Sequence, residues 1–260
     1  MIKFFINLGN KVLSFFYFMG GLINLASQAF YWTAVSPPKR KTIFEQAKRV
    51  GLDSLPIISL TSLFIGVIMA LQTAVQLQRL GSEMYIASIV ALSLVRELGP
   101  VITALVIAGR VGAAITAEIG SMQVTEQVDA LETLATNPIR YLVVPRFLAL
   151  SLMLPTLTLY ADVIGIFGGY LICVYKLGIS SSMYLHITFE ALFFKDLFTG
   201  LIKTIFFGMI IAFVSCYEGF NVEGGAEGVG SATRNAVVTT FILIITADCF
   251  FTALFYFIFP

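Results

Sequence analysis

The chain has 260 residues, of which 58% are hydrophobic and only 12% charged, with a mean hydropathy of +0.92 and a net charge of +1. A soluble domain carries about 25% charged residues, so this composition excludes one and marks a polytopic membrane protein. With no basic field to displace counterions, nucleic acid is excluded as a partner. Cys173, Cys216 and Cys249 are scattered in apolar runs and read as packing residues, neither disulfides nor metal ligands. The lone His186 lies in a polar connection without a partner motif.

Residues 1–35 form the first element. Lys3, Asn7, Asn10, Ser14, Gly21, Asn24 and Gln28 recur near the helical period, opposite a stripe of Phe4, Leu8, Val12, Phe15, Met19, Leu22, Ala26 and Phe30. A long amphipathic helix of this kind lies in the membrane interface more readily than it crosses, although a sixth span is the alternative. No small-residue cleavage site follows the apolar run, which argues against a signal peptide. Ser36-Pro37-Pro38-Lys39-Arg40-Lys41 then breaks the helix and anchors the chain among head groups.

Apolar runs at about 54–77, 85–117, 142–175, 197–217 and 236–258 predict five spans in a single unit, 36–260. The second and third are too long to stand upright and must tilt, bend or project. With the N-terminus inside, the cytoplasmic side holds Lys3, Lys11, Lys39, Arg40, Lys41, Lys48, Arg49, Arg110, Arg140, Arg146 and Arg234, and the other side only Arg79, Lys176 and Lys195. Eleven against three predicts a cytoplasmic N-terminus and a periplasmic C-terminus.

Within the second span, Leu94-Val95-Arg96-Glu97-Leu98-Gly99-Pro100 places two charges and a proline in an apolar stretch from Met84 to Ala117. Each charge at mid-bilayer costs ~2.5–3.5 kcal/mol, so such residues face a protein interior or a watery cavity. Pro100 removes a backbone donor and predicts a kink about a turn earlier, near Arg96 and Glu97. Adjacent helical residues point about 100° apart, so the two charges need separate partners.

The connection after the second span predicts a helix over about 121–136, with Val124, Val128, Leu131 and Ala135 in one apolar ridge. Glu126, Asp129 and Glu132 flank it and Asn137-Pro138 stops it. The acidic flanks disfavour an anionic membrane surface, so the ridge is expected to seat in a groove on a protein partner. Ala104, Ala108, Gly112, Thr116 and Gly120 recur every four residues, and Gly165 and Gly169 make a small-xxx-small pair, which favours close helix packing. Glu223-Gly224-Gly225-Ala226-Glu227-Gly228-Val229-Gly230 lacks Gly-Lys-Ser/Thr and reads as a flexible cytoplasmic connection, not a phosphate cradle.

RELGPV, AGRVGAAITAEIGSM, TEQVDALE, NPIRYLVVPR and GFNVEGGAEGVGSAT resemble the MlaE-type permeases of bacterial phospholipid-moving ABC systems, a family that also includes chloroplast lipid-importer subunits. The resemblance runs from about Thr42 to Ala253. It implies an all-α integral membrane protein of the bacterial inner membrane, forming a homodimer with a second copy of itself. Each subunit would carry the interfacial N-terminal helix, five spans and a cytoplasmic coupling helix. Val124, Glu126, Val128, Asp129 and Leu131 would then dock on a cytoplasmic ABC ATPase subunit. A periplasmic MCE-domain carrier would complete the system, with a small STAS-domain regulator in some members, and the system would maintain outer-membrane lipid asymmetry. The chain itself would be no enzyme and hold no cofactor, since it has no Walker lysine motif and the partner ATPase would bind ATP and magnesium.

The resemblance also implies a central lipid cavity near Gly66, Leu71, Gln72, Arg96, Glu97 and Leu98. Lys203 and Asp248 match charged family positions, either as an interhelical ion pair or in contact with substrate. Ser231 and Asn235 stand where the family's last loop generally has arginines, and Arg234 is displaced by one residue. Two other classes share some of these features. A secondary transporter also uses a broken charged helix but shows internal repeats, absent from five unequal spans. An intramembrane enzyme needs a nucleophile and base or a metal cluster, and Glu97 and Asp248 have no such companions.

Overall fold

A computed structural model describes residues 2–79 and 81–258; the side chains of residues 2–8, 10–12, 15 and 258 lie outside the described set. The amphipathic pattern expected at Lys3, Phe4, Asn7, Leu8, Asn10, Val12 and Phe15 therefore falls outside the described residues. Helix α1 (Ile2–Val35) is continuous and ends before the Pro37-Pro38 pair. Its Leu22, Leu25 and Ala29 are buried, Phe30 meets Phe147 edge-on at 5.1 Å and Phe18 meets Tyr217 at 5.2 Å. The outward face carries Phe16, Tyr17, Ile23 and Tyr31 as well as Asn24, so its polar strip is narrower than the sequence spacing suggests.

Among the described residues, five helical stretches are long and apolar enough to cross a membrane: Arg40–Gln78, Glu83–Val124, Ile139–Tyr175, Phe194–Phe220 and Gly225–Phe257. Span one is α2 (Arg40–Gly51) continued through a tight turn at Leu52–Ser54 into α3 (Leu55–Gln78). Span two joins α4 (Ile86–Ser93), α5 (Gly99–Ile107) and α6 (Ala113–Val124). A short α7 (Gln127–Thr133) leads to α8 (Val144–Tyr175) of span three. Then come α9 (Ser181–Ala191), α10 (Phe194–Phe220) and α11 (Gly225–Ile258).

Three local expectations change. The glycine-rich run is not a loose connection, because α11 starts at Gly225 and takes in the rest of it. A side chain at Gly228 would collide with the Glu223 carbonyl, so glycine there is a packing requirement. His186 sits on α9, 3.4 Å from Glu190, rather than in a polar connection. Cys173 and Cys216 are buried as expected of packing residues, but Cys249 is exposed on the outer face of α11.

Small residues set the helix spacing. Gly66 of α3 lies against the Gly165 carbonyl of α8, and a Cβ at Gly168 would strike the Leu63 carbonyl. On the other side of α8, a Cβ at Gly208 of α10 would stand 2.8 Å from the Leu150 carbonyl oxygen. The predicted ladder of span two packs on α10: Gly112 faces Ser215, Thr116 Oγ1 donates to the Ser215 carbonyl at 3.0 Å, and Ala104 and Ala108 are buried. Without a hydrophobic drive between helices in lipid, such close approach supplies the dispersion contacts that hold a bundle together. The basic residues from Lys39 to Arg49, with Arg110, Arg140 and Arg146, lie towards the end that carries α7, and Arg79, Lys176 and Lys195 towards the end that carries α9.

Gly66→Val should therefore lower thermal stability in detergent by about 1–3 kcal/mol, the cost of overpacking a tight contact. Gly20→Ala, where nothing lies within 4 Å, should be neutral or slightly stabilising in the same melting series.

Candidate functional site

Span two is not a uniform α-helix. At Leu94–Leu98 and again at Ala108–Gly112 the backbone widens into one π turn, and span three does the same at Ile139–Val143. In each, the bond that closes the turn runs from residue i to i−5: Gly99 to Leu94, Ala113 to Ala108 and Val144 to Ile139. Single π turns inside α-helices are frequent at functional sites. Each of these three contains an arginine: Arg96, Arg110 and Arg140. The irregularity at Arg96 and Glu97 is where Pro100 predicts one, and its form is a π turn.

Pro100 explains part of the local chemistry. It has no N–H, so the Arg96 carbonyl loses its ordinary i+4 donor. Lys203 Nζ, from α10, approaches that carbonyl at 3.3 Å. The same ammonium donates to Glu97 Oε2 and to Thr252 Oγ1, each at 2.7 Å, and stands 3.0 Å from Asp248 Oδ1 on α11. Thr252 in turn donates to the Glu97 carboxylate at 3.1 Å. Lys203 is only 2% exposed, so three helices close around one cation. Lys203 and Asp248 form an ion pair that is shared with Glu97.

Arg96 points elsewhere, as a neighbour about 100° round the helix must. Its Nε donates to Asp196 Oδ1 at 2.6 Å, and its Nη2 pairs with the same oxygen. Asp196 is buried and also accepts the Phe193 N–H at 3.2 Å, closing the first turn of α10. Arg96 itself remains 53% exposed. Around these groups lies a pocket of about 150 Å³, lined by Arg96, Glu97, Lys195, Asp196, Thr199, Lys203, Thr252, Phe255 and Tyr256.

The other expected cavity residues are not gathered there. Gly66 is consumed by the contact with Gly165. Leu71 is exposed along an outer strip of α3 with Phe64, Ile68 and Val75, and Gln72 is exposed beside it. Leu98 turns the opposite way from Glu97, towards Ser62 and Ile65 of α3. Within this chain, therefore, Arg96 and Glu97 share a pocket with spans four and five, whereas Gly66, Leu71, Gln72 and Leu98 belong to the span-one side. Sequence reasoning missed Asp196, Lys195, Thr199 and Thr252. Asp196 alone left a signal, a single acid in the third position of an apolar helix.

The connection after span two also differs from its expected form. Instead of one helix over 121–136, Val124 ends α6 and Glu126 takes a left-handed backbone (φ 58°), which turns the chain before α7 begins. The predicted ridge is thereby split. Val128 tucks into the protein at 6% exposure, Leu131 is half-buried and Glu126 and Asp129 are exposed. The most exposed large apolar side chain of this segment is Leu134, at 74%. The helix stops before Asn137-Pro138, because Ala135 turns left-handed (φ 56°) while the Thr136 N–H bonds to the Leu131 carbonyl at 2.9 Å.

The family model for the MlaE permease matches residues 43–254. The chain belongs to the MlaE permease family. A probable ABC transporter permease protein of Rickettsia prowazekii is 46% identical over 237 residues, 91% of this chain and 92% of the relative. The intermembrane phospholipid transport system permease protein MlaE of Haemophilus influenzae is 35% identical over 259 residues, covering 98% of each. A chloroplast protein of Arabidopsis thaliana, trigalactosyldiacylglycerol 1, is 39% identical over 216 residues, 83% of this chain and 62% of the relative. All the π turns and the whole charged cluster lie inside the MlaE-matched region.

In this MlaE-family chain the cluster is asymmetric in its tolerance of change. Lys203→Ala would leave Glu97 and Asp248 facing each other without their cation, and removing one partner of a buried pair costs about 3–5 kcal/mol. Glu97 is 40% exposed and its loss leaves Lys203 paired with Asp248. Glu97→Ala should therefore cost less, about 1–3 kcal/mol. Thermal unfolding of both variants in detergent checks the order; equal losses would mean that Lys203 is not the hub.

Proposed function

We propose that the chain is the transmembrane permease subunit of an ABC transporter that moves phospholipid across or out of a bacterial inner membrane. The observation that carries this is the charged pocket at the π turn of span two, set in an otherwise apolar bundle. Arg96 is half-exposed with only part of its planar fork engaged by Asp196, and a guanidinium suits a phosphate oxygen. Phe255 and Tyr256 at the same pocket offer apolar surface for acyl chains. Support comes also from the relatives, one named as a phospholipid transport permease and another as an ABC transporter permease.

The chemistry follows from competition. A lipid phosphate that takes Arg96 weakens its hold on Asp196, which closes the first turn of α10, while the neighbouring Glu97 ties α10 and α11 through Lys203. Lipid occupancy is thus coupled to how spans two, four and five sit together. For ATP to drive transfer, lipid and nucleotide must favour different conformations of this junction. In this reading a partner ATPase, which binds the ATP and magnesium, pushes on α7 through Leu131, Leu134 and their acidic flank. A second copy of the chain completes a homodimer whose central cavity is lined by Leu71, Gln72 and Leu98. A periplasmic MCE-domain protein exchanges lipid at the α9 end, a STAS-domain protein regulates the ATPase, and the system maintains outer-membrane lipid asymmetry. The α7 end is cytoplasmic, the N-terminus lies inside and the C-terminus outside.

Photocrosslinking groups placed at Glu97, in membranes with labelled phospholipid, should give lipid adducts well above those from Ile211, a fully buried control. Adducts equal to the control would make the charged pocket structural and remove the lipid assignment. On the docking side, Leu134→Asp should lower co-purification of an ATPase subunit at least several-fold without loss of folded protein. Val128→Asp should instead lower the yield of folded chain, because that side chain is internal. Native purification that brings no ATPase at all would favour a secondary transporter. A cysteine at Gln28 should label from the inside only, and labelling from the outside would reverse the topology.

A further inference from the structure

Helix α7 joins span two to span three, so any force on it can move the two spans together or splay them apart. The structure holds a second buried cation at this end, outside the charged pocket. Arg146 of α8 is 4% exposed, and its Nη2 stands 2.9 Å from Glu118 Oε2 on α6. Its Nη1 donates to the Leu142 carbonyl at 2.8 Å, inside the π turn that opens span three. The other oxygen of Glu118 lies 3.7 Å from Arg49 on α2. An arginine in so apolar a setting, beside the buried Val143, Val144 and Phe147, is a poor choice for stability alone. Well-packed apolar residues of similar volume often serve as well or better there. What the ion pair adds is a directional bond between two helices that the chain otherwise joins only through the 125–143 segment, which contains α7.

We propose that Arg146 is a positioning residue of the transport cycle: its pair with Glu118 locks spans two and three into one lever at the α7 end. Force on α7 then reaches the Arg96–Pro100 segment along α6 and α5, instead of being lost in separation of α6 from α8. Arg49 extends the lever to span one. The proposal rests on the permease assignment above for its transport readout, but not for its mechanical one.

The test uses the whole complex, purified with its ATPase and reconstituted in phospholipid vesicles. Spin labels go on Ser121→Cys and Tyr141→Cys, both exposed, in a Cys249→Ser background, since Cys173 and Cys216 are buried. Arg146→Met replaces the buried charge by an apolar group of comparable length, so the fold is retained. Expected for Arg146→Met are ATP hydrolysis within two-fold of the unaltered complex, lipid transferred per ATP reduced at least ten-fold, and a broadened 121–141 distance distribution. Arg146→Lys, which keeps the cation, should recover the narrow distribution and most of the transfer. Unchanged transfer per ATP in Arg146→Met, or an unchanged distribution, overturns the proposal. If the unaltered complex moves no phospholipid, the permease assignment fails by itself, and the label distribution still decides whether the lever exists.

Discussion

An ammonium group held almost dry among three membrane helices constrains much of this molecule. Lys203 is tolerable there only because Glu97, Asp248, Thr252 and the Arg96 carbonyl converge on it. That convergence needs α5, α10 and α11 at short range, and it needs the backbone of span two opened at the right level. Gly200, whose added Cβ would strike the Val95 carbonyl, lets α10 reach that level, and the π turn with Pro100 supplies the opened backbone. Composition, packing and charge thus meet at one place, and a change in any of them is felt by the others.

The bundle has two polar levels with an apolar middle between them. At the α9 end, Arg96–Asp196 and the Lys203 cluster join span two to spans four and five. At the α7 end, Arg146–Glu118 and Arg110–Ser54 join span two to spans three and one. Span two is common to both levels, and each level has a π turn in it. Between them, small residues on α3, α8 and α10 allow dense contact. Asp162 breaks that division: it is buried on α8 with Oδ1 unpaired, against Gly99 at the end of the first π turn.

The class, the five spans and the charged break in span two were legible because hydropathy is a local signal and an intramembrane charge stands out against it. The packing role of the Ala104–Gly120 ladder was legible for the same reason, through its spacing. What escaped were features set by distant neighbours. Asp196 carried no reading of its own until α10 brought it to Arg96. Val128 looked like a docking residue because the pattern Val124, Val128, Leu131 fits an unbroken helix, and nothing in Thr125-Glu126 announces a left-handed turn. Gly225–Gly230 looked loose because glycine weakens isolated helices, whereas here its lack of a side chain is what the Glu223 contact demands. Gly66 matched a cavity position by resemblance but serves, within the chain, as a seat for α8.

The three π turns carry a consequence for how such a chain can vary. Each contains one residue more than an unbroken α-helix needs to keep its two flanks in phase. Losing a single residue from Leu94–Leu98 would therefore leave the packing faces of α4 and α5 still aligned with their neighbours, while removing or swinging away the charged pair. The arginines sit on backbone that helix phase does not require. Functional side chains on surplus residues can be reset by one-residue insertions and deletions without rebuilding the bundle, a freedom that a regular membrane helix, with every residue committed to a face, does not have.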